Sequence, residues 1–81
     1  MRYPDGQEVR VGDVVAFVND RGVVIGSIDS ATFLPPFKAD GWDTLGTGII
    51  VKTDRGAFVH FADDTSLAEL SFVLEQRHVD L

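Results

Sequence analysis

Apolar side chains fall mostly at alternate positions early in the chain, at Val9, Val11, Val15 and Phe17, with Gly12-Asp13 set among them. Period two places alternate side chains on one face of a strand, and a glycine-aspartate pair inside such a run reads as a bend or bulge. Before it, Pro4-Asp5-Gly6 predicts a turn, since proline presets one dihedral and glycine permits the other. Asn19-Asp20-Arg21-Gly22 predicts a polar hairpin turn, and "VVIGSI" at 23–28 returns as a β-branched strand in which Gly26 marks a bulge or a close backbone approach. The same alternation recurs farther on. "GTGIIVKT" at 46–53, the turn Asp54-Arg55-Gly56 and "AFVHFA" at 57–62 predict a second hairpin, with Val59 and Phe61 inward and His60 on the opposite face.

Two segments break this pattern. "LPPFKADGWDTLG" at 34–46 holds adjacent prolines, Phe37, the only tryptophan, Trp42, and two aspartates, with no helix or strand period. It predicts one long connection between the hairpins, and a long loop with aromatic content in a small domain points to function rather than disorder. In "DDTSLAELSFVLEQ" at 63–76, Asp64 or Ser66 is a candidate cap for one helical turn, with Glu69 three residues after Ser66 as in a capping box. Leu67, Leu70, Phe72 and Leu74 also fit one amphipathic helix; Ser71-Phe72-Val73 disfavours a helix interior, so a helical turn followed by a short strand is the preferred reading.

Five short strands, turn glycines and no long helix make the expected class all-β, a small antiparallel barrel with one long loop and a short helical turn near the C-terminus. The arrangement resembles an SH3-like barrel, and "VRVGDVV" is similar to the first strand of KOW-type and related SH3-like domains.

Composition narrows this further. A chain of 81 residues is one domain, 1–81, at a size where only about 60 to 65% of the unfolded surface is buried. With no cysteine, neither disulfides nor thiolate ligands can hold it, and stability rests on the 44% of residues that are apolar. Thirteen acidic against seven basic residues give a net charge of -6, which opposes phosphate backbones and anionic membranes, so neither nucleic acid nor membrane is an expected partner. No segment has the basic start and apolar core of a signal peptide, and the expected location is cytoplasmic.

Catalytic and metal chemistry finds little support. His60 and His78 lack the i, i+4 spacing of a helical zinc pair, and Asp63-Asp64 lacks the alternating oxygen ligands of a calcium loop. The glycines of "LGTGII" precede a strand, whereas a phosphate-binding loop follows one and opens a helix. Ser27, Ser30, Ser66 and Ser71 fit no nucleophile elbow, and Asp40 with Asp43 sits on a loop with no evident pocket to split two carboxyl pKa values. No cofactor and no enzymatic activity are expected. What remains is surface: Asp29, Asp40, Asp43, Asp63, Asp64 and Glu69 make a candidate negative patch with Phe33, Phe37 and Trp42 as aromatic content. Aromatic anchors in a charged rim suit recognition of a basic protein, whereas the competing reading has the three aromatics folded back as a lid, and Trp42 remains open between core and anchor.

Together "YPDGQEVRVGDVV", the tryptophan of "GWDTLG" and "GTGIIVKTDRGAFVHF" resemble a family of small bacterial proteins similar to the immunity partners of polymorphic toxins. The resemblance covers most of the chain, and its motifs are structural rather than catalytic. It implies a non-enzymatic protein that binds a cognate toxin, a nuclease or deaminase with a basic cleft, and occludes its active site. The residues expected to make that contact are Phe37, Asp40, Trp42, Asp43, Asp63 and Asp64. The alternative is an SH3-like interaction or accessory module in a larger assembly, using Tyr3, Phe33 and Trp42.

Overall fold

The computed structural model describes residues 1–37, 41 and 43–77. Six antiparallel strands form one open sheet: β1 Val14–Phe17, β2 Asp20–Ser27, β3 Thr32–Phe33, β4 Ile49–Thr53, β5 Phe58–Phe61 and β6 Val73–Gln76. Their order is β5-β4-β2-β1-β6, and β3 pairs with Gly26 and Ser27 at the end of β2. One short helix, α1 Asp64–Glu69, lies between β5 and β6.

The hairpins arise where the apolar alternation places them, but their edges move. Val9 is buried yet lies outside β1, which starts at Val14 after a turn at Val11 and Gly12. Phe17 pairs with Asp20, so the turn is Val18-Asn19 rather than the expected 19–22, and Asn19 takes the left-handed φ of 59°. Asparagine tolerates that region because its short amide can bond locally, which makes it the natural turn residue here. In the second hairpin Thr53 closes the turn, its carbonyl accepting from Gly56 N–H at 2.9 Å and its hydroxyl from Ala57 N–H at 3.2 Å.

The register shifts between Val24 and Gly26, so Ile25 is the extra residue of a bulge in β2. Phe33 explains the glycine beside it, because a Cβ at Gly26 would overlap the Phe33 ring. On the inner face, Val15, Val24, Ile49, Val51 and Phe61 join Tyr3, Val9, Leu67 and Phe72 in one core, with Val59 packed against it. His60 lies on the other face, half-buried, as the alternation requires. Phe72 stacks on Phe17 at 4.5 Å and meets Phe61 edge-on at 4.8 Å, so residues from both ends of the strand order pack together. Each such ring pair contributes about 0.5–1.5 kcal/mol beyond its buried area.

The C-terminal segment follows the helix-then-strand reading, with two corrections. Asp63 is the N-cap, not Asp64 or Ser66; its side chain accepts from the Ser66 N–H at 3.0 Å and the Ser66 hydroxyl at 3.2 Å. The helix therefore begins one residue after Asp63, which leaves Glu69 as its last residue instead of the partner in a capping box. A single helix through Leu74 does not form: Ser71 has φ 54°, and β6 starts at Val73. No helix among the described residues is long and apolar enough to cross a membrane.

Candidate functional site

Gly48 organises the acidic end of the molecule. Its φ is 105°, and a Cβ there would overlap the Phe61 carbonyl oxygen, so only glycine lets the start of β4 lie this close to the end of β5. The Gly48 N–H donates to Asp29 Oδ1 at 3.2 Å, which ties the β2–β3 turn to β4. The Thr47 hydroxyl donates to the Ala62 carbonyl at 3.2 Å, and His60 Nε2 lies 2.7 Å from the Thr47 carbonyl. These bonds bring Asp29 beside the start of α1, where the N-cap role fixes Asp63 and the Arg2 N–H donates to Asp64 Oδ1 at 3.0 Å.

The result is an open groove of about 560 Å³ in which Asp29, Asp63 and Asp64 face Met1, Arg2, Thr47, Ala62 and Thr65. Each carboxylate commits Oδ1 to the fold, and its Oδ2 makes no hydrogen bond to the described residues. Three acceptor oxygens held in place this way suit lysine or arginine side chains, which form charge-assisted bonds about twice as strong as neutral ones. Among the described residues, no group of three or more histidines and carboxylates is arranged to hold a metal ion.

The six residues expected at a contact surface are distributed unevenly. Asp63 and Asp64 share the groove, and Asp29 joins them from the β2–β3 turn. Phe37 does not line it. Its half-buried ring lies on the outer face of the sheet, 6.0 Å from the Phe58 ring, with Lys52 Nζ 5.5 Å and 5.7 Å from the two ring centres. Asp43 begins a 3-10 turn over Asp43–Leu45, and Asp40 and Trp42, like His78, lie outside the described residues. Phe33 also folds back, onto Gly26.

A second groove, of about 610 Å³, opens where the Val18-Asn19 turn meets the β4–β5 turn, with Phe17, Val18 and Val73 beside Arg21 and Arg55. Val18 and Val73 are each 57% exposed. Arg21 pairs with Glu75 at 2.7 Å across the intervening β1, an exposed contact of small energetic weight.

Sequence reasoning missed what is, among the described residues, the most heavily bonded carboxylate, that of Asp13, which is fully buried. It accepts from the Tyr3 hydroxyl at 2.6 Å, the Arg10 N–H at 2.9 Å, and Arg77 Nε and Nη2 at 3.0 and 3.1 Å. Burial alone would raise the Asp13 pKa, but the bonds from Arg77, Tyr3 and the Arg10 amide outweigh it and hold the carboxyl below its ordinary value. Burial, then the bond to Asp13, pushes the Tyr3 phenol far above the usual tyrosine range. Arg77 is raised in turn by its bond to Asp13. An aspartate inside the valine-rich "VGDVV" is the available signal, since a carboxylate among core positions needs a cation, but its partner is 64 residues away.

Compared with known proteins, the chain matches no family model, no curated protein and no solved structure.

Proposed function

We propose that this chain is a non-enzymatic protein-binding domain that receives lysine or arginine side chains of a basic protein in its acidic groove. The observation that carries this reading is the set of three carboxylates, Asp29, Asp63 and Asp64, each with one oxygen fixed by the fold and one free for a partner. A net charge of -6 supports it by steering a positively charged partner to the surface. An immunity-type inhibitor is the specific form favoured by the sequence resemblance. Such a protein blocks the basic cleft of a nuclease or deaminase toxin by occlusion and needs no chemistry of its own.

The strand order, the helical turn before β6 and the packing of Phe61 on Phe72 support an SH3-like barrel as the scaffold. The second reading, an accessory module in a larger assembly, is favoured by the exposed Val18 and Val73 beside Phe17 in the other groove. Affinity purification with the product of the neighbouring gene tests the leading proposal. A complex weakened by Asp29→Asn with Asp64→Asn supports it, and rescue of cells that express the neighbour supports the immunity form. No complex and no rescue would overturn the inhibitor reading, while a complex lost only on Val73→Asp would favour the accessory module.

A further inference from the structure

Residues 1–9 fold as a small strap with its own bonds: Val9 N–H to the Met1 carbonyl at 2.9 Å, Tyr3 N–H to Gln7 at 2.8 Å, and a bridge between Arg2 and Glu8. One end of the strap forms a wall of the acidic groove through Met1 and Arg2. Across the Arg2–Glu8 bridge, the returning limb is held by a side chain from the far end of the described chain, besides the packing of Tyr3 and Val9 in the core. Arg77 Nη2 donates to the Glu8 carbonyl at 2.7 Å while its guanidinium holds Asp13, which in turn holds the Tyr3 hydroxyl.

From this arrangement we infer that Tyr3, Asp13 and Arg77 form a latch that sets the position of the strap, and through it the width of the acidic groove. Withdrawal of Arg77 removes the strap's bond at Glu8 and leaves Asp13, fully buried, without its cation. The strap then keeps the Tyr3 hydroxyl bond to Asp13, the packing of Tyr3 and Val9 in the core, and the bond from the Arg2 N–H to Asp64 Oδ1 that ties it to the helix. If that tie opens, Asp64 gains a second free oxygen and the groove loses its wall. Arg77, Asp13 and Tyr3 are positioning residues here, because none of them lines the groove. The coupling stands on the bonds themselves; only its consequence for a partner rests on the function proposed above.

A latch makes the strap a unit that opens on its own, at lower cost than global unfolding. Native-state hydrogen exchange across a urea series reads this without any partner. The expected result is that the Arg2, Tyr3 and Val9 amides exchange together, about tenfold or more faster than the core amides of Val24 and Val51, with weak urea dependence. Arg77→Gln and the milder Tyr3→Phe should each speed the strap amides, including that of Arg2, by about tenfold. Exchange of the strap amides at the rate and urea dependence of Val24 and Val51 would overturn the latch. So would an Arg2 amide that neither variant changes.

Discussion

Replacing Asp13 by asparagine keeps the shape of the side chain and removes its charge, which isolates the contribution of the buried ion cluster. The carboxylate accepts four hydrogen bonds in the native protein, two of them from a guanidinium. Asparagine can accept at only one atom, and it turns an amide donor toward other donors. Breaking a buried charged pair costs about 3–5 kcal/mol. The Arg77 side chain is 27% exposed and can be solvated once freed, so a loss of about 3 kcal/mol, at the low end, is expected. A domain of 81 residues has about 4–12 kcal/mol of stability in all, so this single atom exchange removes a large share of it. Urea unfolding followed by far-ultraviolet circular dichroism measures the loss, which at about 1 kcal/mol per molar urea moves the midpoint down by about 3 M. The pH dependence provides an internal control. Because the folded carboxyl titrates below its unfolded value, its stabilisation is present above about pH 4 and is lost as pH falls through the folded pKa. The asparagine variant should lack that part of the acid loss. A midpoint within about 0.5 M of the parent, or an unchanged acid profile, would refute the assignment of Asp13 as the polar centre of the fold.

Three further outcomes follow from the same geometry. Tyr3 is the only tyrosine, so its ionisation is directly visible in the ultraviolet spectrum; no tyrosinate should appear until the strap opens or the protein unfolds, and titration near the ordinary tyrosine value would contradict its burial. Above about pH 10 the unfolded chain loses this proton and the folded chain keeps it, so stability falls by about 1.4 kcal/mol per pH unit from this group, a slope absent in Tyr3→Phe. Gly48→Ala should destabilise by about 3 kcal/mol in thermal or urea melts, since both the positive φ and the Phe61 carbonyl oppose a side chain; a change under about 0.5 kcal/mol would show that β4 can shift. Asp63→Ala should cost about 1 kcal/mol as a lost N-cap, and Asp63→Ser should recover most of it.

Local chemistry explains what could be read from the sequence. The two hairpins follow from alternating valine, isoleucine and phenylalanine, the final strand from Ser71-Phe72-Val73, which disfavours a helix interior, and His60 faces outward because Val59 and Phe61 face in. Boundaries are less legible, as at Asp63, because four consecutive residues, Asp63, Asp64, Thr65 and Ser66, all carry side chains able to cap. The short β3 has no period to betray it; it exists because Phe33 can lie on Gly26. The acidic groove depends on contacts between distant residues, Asp29 with Gly48 and Arg2 with Asp64, that no local pattern encodes. The same holds for Asp13, whose place among valines is visible but whose partners Tyr3 and Arg77 come from opposite ends of the chain. Phe37 lies near the aspartates in sequence, whereas its ring lies on the outer face of the sheet with Phe58 and Lys52.

The claim that the acidic groove receives a basic partner is tested most directly by titrating the isotope-labelled chain with the captured partner and following every backbone amide by nuclear magnetic resonance. The account predicts that the largest shifts fall on Arg2, Asp29, Thr47, Asp63, Asp64 and Thr65, and that added salt weakens them. Shifts concentrated instead on Val18, Lys52, Phe58 and Val73, with little dependence on salt, would contradict it.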